Sequence, residues 1–432
     1  MRSLLRSPAI RAMAGRLSWG LGDQAVSSIT NFVVGLFVAR SLGTFAFGMF
    51  SLAWVSYGVV LNLSRGLTTD PLMVRFSGVS TESWRAATAK ATGTALSAGV
   101  VAGAISVVAG LVVGGPIGGA FIALGVVIPT LLLQDAWRFT FFAAGHGKKA
   151  FVNDVVWGIA LIPALFIAHQ WFDTVVAFIL AWGLSGAVAA GYGCLQSGVR
   201  PDPRGTLEWL KRHRDLGARY VVENVSNAGS TQLRMYGLGA IAGLASVGAV
   251  RGAELLLGPF FALLMGLSLV TVAESARVLQ RAPHRLRRFC AVLGAGQAVA
   301  ALIWGLALLL VPDDAGRFVL GDVWDPASEL ILPVTIGIAA AGFNTGAAAG
   351  LRALGAAKRS LRAQLINSAG YVGLGLIGAF LAGASGSAWG VALAITSGSA
   401  VWWLQLHTAL KEHLASEKDG GAETHPPKVS ST

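Results

Sequence analysis

Residues 117–149 read IGGAFIALGVVIPTLLLQDAWRFTFFAAGHGKK. No ionisable side chain interrupts the run from Ile117 to Leu133, and crossing roughly 30 Å of hydrocarbon takes about 20 apolar residues. Gln134, Asp135 and Arg138 follow, and then a Gly-rich turn with Lys148 and Lys149. An apolar run closed by basic residues reads as a helix leaving a membrane on its cytoplasmic side.

Working outward, eleven further segments meet the same length and hydropathy test. The full set is 17–39, 46–68, 90–112, 117–143, 151–170, 174–196, 217–242, 250–274, 289–311, 328–350, 363–383 and 387–409. Composition agrees. Only 12% of residues are charged, against roughly 25% in soluble domains. The 56 glycines suit helices that pack closely in lipid. The net charge of +12 is dispersed in short clusters between apolar runs, which argues against a nucleic-acid partner. Cys194 and Cys290 read as unpaired thiols.

The basic residues set the topology. Of the 33 Lys and Arg, all but Arg40, Arg234, Arg251 and Arg317 fall on one side when the N-terminus is placed inside. Both termini are then cytoplasmic. Segment 1–16, with Arg2, Arg6, Arg11 and Arg16 among Leu4, Leu5, Ile10 and Met13, reads as a basic amphipathic helix on the membrane surface. No signal-peptide cleavage pattern follows it. Residues 17–198 form one six-helix half, 199–216 a cytoplasmic linker, 217–410 a second half, and 411–432 a polar tail that reads as disordered. The longest external loop, Pro312 to Ala327, is acidic and too short for a catalytic domain.

The two halves repeat each other. Gly145-His146-Gly147-Lys148-Lys149 follows the fourth helix, and Gly355-Ala356-Ala357-Lys358-Arg359 follows the tenth, with Asn153 and Asn367 downstream. Gly35-Leu36 and Leu42 align with Gly237-Leu238 and Leu244. Both copies lie on the same side, so the repeats are parallel and related by an axis along the membrane normal, an arrangement used by transporters.

Polar residues inside the apolar runs mark the candidate cavity, since a charge in hydrocarbon costs at least about 2.5 kcal/mol. Helix 1 carries Asp23, Ser27, Thr30 and Asn31 on one face. Helix 7 carries Glu223, Asn227, Ser230 and Arg234 at equivalent places. Helix 4 adds Gln134, Asp135 and Arg138. Arg234 reads either as a fixed cation for a phosphate or pyrophosphate or as the partner of an acid such as Glu254. Arg251 and Glu254 read as an outer-rim pair, Arg65 as a cytoplasmic loop cation, and Asp154 as part of the loop beside Lys148 and Lys149. No Walker loop, His-Glu-x-x-His motif or paired metal ligands occur, so the reading is neither an ATPase nor an enzyme.

The first hairpin, Ala39-Arg40-Ser41-Leu42-Gly43-Thr44-Phe45-Ala46-Phe47-Gly48, resembles the Ala-Arg-x-Leu-Gly-x-x-x-Phe-Gly signature of polysaccharide transporters. These are lipid-linked oligosaccharide flippases of the multidrug/oligosaccharidyl-lipid/polysaccharide exporter superfamily. Phe318-Val319-Leu320-Gly321 with Ala327, and Leu351-Arg352-Ala353-Leu354-Gly355, resemble two further family segments. The resemblance implies a V-shaped pair of six-helix bundles around a central cavity in the plasma membrane. It also implies a polyprenyl-(pyro)phosphate-linked glycan as substrate, moved by alternating access. Membrane lipids and a glycan polymerase or glycosyltransferases are the implied partners, with no cofactor beyond a coupling H+ or Na+. The alternative in the same fold is a cation-coupled drug or metabolite antiporter using Asp23 and Glu223. One departure from the family is its cation-poor cavity, with Arg234 the one cation placed within the membrane.

Overall fold

The computed structural model describes residues 8–77, 79–258, 260, 271 and 274–422, and every regular element among them is helical. The side chains of residues 8–18, 21, 223, 225–227 and 416–422 lie outside that description. The first ten helices are α1 (Pro8–Ser41), α2 (Thr44–Leu67), α3 (Thr69–Phe76), α4 (Thr81–Val113), α5 (Gly115–Ala143), α6 (Gly147–Trp171), α7 (Val175–Ser197), α8 (Thr206–Arg212), α9 (Arg214–Ala242) and α10 (Leu244–Leu256). After them come α11 (Leu286–Leu309), the short α12 (Asp313–Leu320) and α13 (Trp324–Ser328), α14 (Ile331–Ala353) and α15 (Ala357–Ala422).

Each of the twelve predicted spans coincides with one of these helices, except that the eighth is described only in part. Eight helices among the described residues are long and apolar enough to cross a membrane. The last of them is two spans parted where Ala382 and Gly383 leave helical geometry. Helices α1 and α9 are long enough, at 34 and 29 residues, but their polar stripes lower their hydropathy. The chain is a multi-pass, all-α membrane protein.

The repeat is visible in backbone hydrogen bonds. At the end of α5, His146 N–H donates to Phe141 O and Gly145 N–H to Phe142 O. At the end of α14, Ala356 donates to Leu351 O and Gly355 to Arg352 O, the same pattern 210 residues later. Gly145 and Gly355 sit at φ +72° and +66°, the left-handed helix stop that glycine adopts without strain. Lys148 and Lys358 are exposed in the first turn of the following helix.

Packing groups the described chain into two compact units: everything to Leu255 together with Pro312–Ala327, and Leu256–Val311 together with Ser328 onward. This division differs from the boundary of the sequence repeat because α9 and α10 pack against α2. A Cβ on Gly48 would lie 1.8 Å from Leu244 O, and one on Gly248 would lie 2.1 Å from Thr44 O, so the two backbones cross in direct contact. Further along, Tyr236 Oη donates to Ser56 Oγ at 2.7 Å, and Asn224 Nδ2 donates to Asp70 Oδ2 at 2.8 Å. The hairpin motif is explained here. Ala39 and Leu42 are buried, Gly43 caps α2, and Gly48 makes the crossing. The Arg40 guanidinium lies 4.4 Å from the Phe318 ring centroid.

One expectation changes, and the linker has structure of its own. It forms a turn at Pro203–Gly205 and then α8, whose buried Trp209 donates its ring N–H to Leu67 O at 3.1 Å. The tail is helical as far as Ala422 rather than disordered from Lys411. Leu410 and Leu414 pack into the core cluster around Leu406 and Cys290, and Arg359 pairs with Glu412.

Candidate functional site

Helix α5 presents two polar faces. Gln134 and Arg138 are four residues apart and share one face, while Asp135 is turned about 100° away. The first face meets α1 and α6. Arg138 donates from Nη2 to Asp23 Oδ2 at 2.6 Å and from Nε to the same oxygen at 2.8 Å. Its Nε also lies 3.2 Å from Asp154 Oδ2 on α6. Gln134 Nε2 donates to Asp154 Oδ1 at 2.8 Å and lies 3.2 Å from Asn153 Oδ1. Asn153 in turn donates to Ala189 O on α7.

The second face meets α2. Arg65 binds Asp135 in a two-pronged pair, Nη2 to Oδ1 at 2.6 Å and Nε to Oδ2 at 2.9 Å, with the Phe139 ring 4.9 Å from its guanidinium carbon. Bidentate pairs of this kind are strong and directional. The Arg65 side chain keeps 28% exposure, whereas Asp23 keeps 1%.

On the first face two carboxylates thus share one guanidinium, while Arg65 and Asp135 balance each other on the second. With every group ionised, Asp23, Asp154 and Arg138 carry one surplus negative charge in a poorly hydrated place. Asp23 Oδ1 is buried without a hydrogen-bond partner among the described residues. A small cleft beside the network is lined by Ser27, Thr30, Asn31, Asp154 and Trp157.

A second cluster lies on α9 and α10. Arg234, buried at 2% exposure, binds Glu254 Oε1 at 2.7 Å, and Arg251 binds Glu254 Oε2 at 2.8 Å. Two guanidiniums share the one Glu254 carboxylate.

The structure therefore joins Asp23 and Arg138, pairs Asp135 with Arg65 on the other face of α5, and places Ser27 and Asn31 on the adjoining cleft. Ser230 is half-buried on α9, and the side chains of Glu223 and Asn227 lie outside the described residues. Two readings are corrected. Asp154 is buried in the network rather than beside the loop lysines. Arg65 is paired inside the bundle rather than free in a loop. Of the two readings of Arg234, the structure shows the pairing with Glu254, which also holds Arg251. The signal for Asp154 was present in its place next to Asn153 on an otherwise apolar helix. No group of three or more His, Cys, Asp or Glu among the described residues is placed to hold a metal, and both cysteines are free thiols.

No family model matches the chain, and no curated protein matches it. Solved structures do. An inward-facing multidrug resistance MATE family transporter of the MOP superfamily superposes with a TM-score of 0.66 at 13% identity, over 89% of this chain and 95% of that one. The lipid II flippase MurJ, in an inward closed conformation, gives a TM-score of 0.66 at 12% identity, over 91% and 87%. An outward-facing MATE transporter gives 0.53 at 15% identity, over 95% and 97%. A paired helical repeat, buried ion clusters on its helices and these superpositions lead to one conclusion: the chain has the fold of the MATE and lipid-flippase transporters of the MOP superfamily.

Proposed function

We propose that the protein is a secondary transporter of this superfamily that moves a polyprenyl-(pyro)phosphate-linked saccharide across the plasma membrane by alternating access. The observation that carries this reading is the Arg234–Glu254–Arg251 triad. Arg251 shares Glu254 with Arg234 and leaves part of its guanidinium open, and guanidinium pairs with phosphate oxygens in a two-pronged fashion. Arg251 keeps 32% side-chain exposure and offers the accessible donors. The motif resemblance and the fold shared with a lipid flippase support the same substrate class.

In this reading the surplus carboxylate of the Asp23–Arg138–Asp154 network is where a coupling proton or Na+ binds. Its uptake neutralises the excess charge, and its release restores it. Both termini are cytoplasmic, and the enzymes that build or polymerise the saccharide are the functional partners.

The test uses vesicles containing purified protein and a fluorescent polyprenyl-pyrophosphate saccharide, with headgroup access read by a membrane-impermeant quencher. Removing one partner of a buried charge pair costs about 2–5 kcal/mol. Arg251→Ala and Arg234→Ala should therefore slow translocation at least about tenfold. Unchanged rates in both variants exclude the triad from substrate handling.

A second reading, a cation-coupled antiporter of small molecules, is favoured by one observation: Asp23 Oδ1 is buried without a hydrogen-bond partner among the described residues. It requires efflux of an organic cation driven by a pH or Na+ gradient and lost in Asp23→Asn.

A further inference from the structure

Residues 274–288 carry five arginines, Arg277, Arg281, Arg285, Arg287 and Arg288, together with His284, and all six side chains are exposed. Arg277 pairs with Glu274 three residues before it. The other four arginines form no ion pair among the described residues. No acidic residue occurs in the sequence between Glu274 and Asp313. Some cations of other basic loops do pair with acids: Arg75 binds Asp215, Lys90 binds Glu208, and Arg359 binds Glu412.

The array is held in place. Val278, Leu279 and Phe289 pack against a buried cluster of Leu286, Cys290, Trp402 and Leu406. A turn at Pro283–Arg285 leads directly into α11. Arg287 and Arg288 occupy the first turn of α11, which holds no acid. Cations at a helix N-terminus are disfavoured by the helix dipole, so nothing in the local helix energetics explains them. Together with the free N–H groups of that turn they build a concentrated positive field beside the end of a spanning helix.

We propose that this array binds the phosphate headgroups of anionic phospholipids in the adjoining leaflet, and that such lipids hold this end of α11 in place. A cluster of four or more arginines at the end of a membrane helix is attracted to an anionic bilayer surface, each charge adding to the affinity. Four guanidiniums without an ion pair among the described residues sit on an ordered backbone, so only their side chains need ordering when they bind. The ordinary topological role of basic residues is met by any Lys or Arg on that side. It needs neither arginine throughout, nor a first helical turn without an acid, nor an ordered seat. The inference does not depend on the transported substrate.

The test has two arms. In the first, the wild-type protein in phosphatidylcholine vesicles is doped with phosphatidylglycerol bearing a photoreactive group near its headgroup, and the labelled peptides are mapped. Labels concentrated in 274–290 are expected. Labels spread over the other basic loops in proportion to their charge overturn the proposal, and this arm needs no variant. In the second, the apparent Tm in neutral detergent is followed as phosphatidylglycerol, phosphatidylcholine or inorganic phosphate is added. Phosphatidylglycerol alone should raise the wild-type Tm. The concentration needed should rise about tenfold or more in Arg281→Gln/Arg285→Gln/Arg287→Gln/Arg288→Gln, and less in the matching four-lysine variant. Equal stabilisation by inorganic phosphate, or an unchanged response of the glutamine variant, contradicts a lipid site.

Discussion

Arg138 holds two carboxylates with one guanidinium, which makes it the residue whose loss should be felt most. Arg138→Gln leaves Asp23 and Asp154 buried without a cation. Breaking a buried pair in this way costs about 3–5 kcal/mol. The expected outcome is a lower apparent Tm in detergent, partly recovered when Asp23→Asn is added, because the second change removes one stranded charge. No recovery in the double variant contradicts the shared-guanidinium geometry. The same network shows what sequence could and could not convey. Asp23, Asp135 and Arg138 stood out because each interrupts an apolar run. Arg65 did not, since it lies in the last turn of α2, where hydropathy cannot separate a loop cation from a buried one, and its partner Asp135 is 70 residues away. Asp154 was masked by Lys148 and Lys149, which lie one to two turns earlier on the same helix and face elsewhere.

Among the elements, the helix stops of the repeat allow a matched comparison. A Cβ at Gly145 or Gly355 would meet nothing within 4 Å, yet both have positive φ. Gly145→Ala and Gly355→Ala should each cost about 1 kcal/mol through backbone strain alone, and equally in the two halves. Thermal melts of the single variants check this, and a large effect at only one of them breaks the equivalence of the repeats. Gly48 and Gly248 behave differently, because added side chains there meet backbone atoms of the opposing helix. Gly48→Val and Gly248→Val should each destabilise by about 1–3 kcal/mol or more. Their combination should cost less than the sum, since either one already separates α2 from α10. The linker adds a pH response. His213 is buried against Trp209, and burial lowers its pKa below the usual 6.5, with Arg75 and Arg212 acting in the same direction. The unfolded chain therefore binds this proton first as pH falls. Its contribution to stability is complete above about pH 6.5 and declines as pH drops through the lowered value. His213→Gln should flatten the loss of apparent Tm between about pH 7.5 and about pH 5. An unchanged slope assigns that loss to other groups.

For the whole molecule, span positions and the repeat were legible in the sequence because lipid imposes one length and one hydropathy on every spanning helix. The grouping of α9 and α10 with the first unit was not legible. It rests on backbone crossings at Gly48 and Gly248 and on Tyr236 reaching Ser56, contacts about 180 to 200 residues apart that leave no local pattern. The charge balance of each cluster was equally hidden, since a sequence counts charges without pairing them. Paired, the described residues form one group in which Arg138 faces two carboxylates and another in which Arg234 and Arg251 share Glu254, and the proposed coupling of a cation to an anionic headgroup draws on both. The most direct test is a side-by-side flux measurement in one batch of protein-containing vesicles, with a pyrophosphate-linked polyprenyl saccharide and an organic cation as competing cargoes under an imposed pH or Na+ gradient. The account predicts gradient-dependent movement of the lipid-linked saccharide above protein-free vesicles, with no matching flux of the organic cation. Gradient-driven flux of the organic cation with a stationary lipid-linked saccharide, or no flux of either, would contradict it.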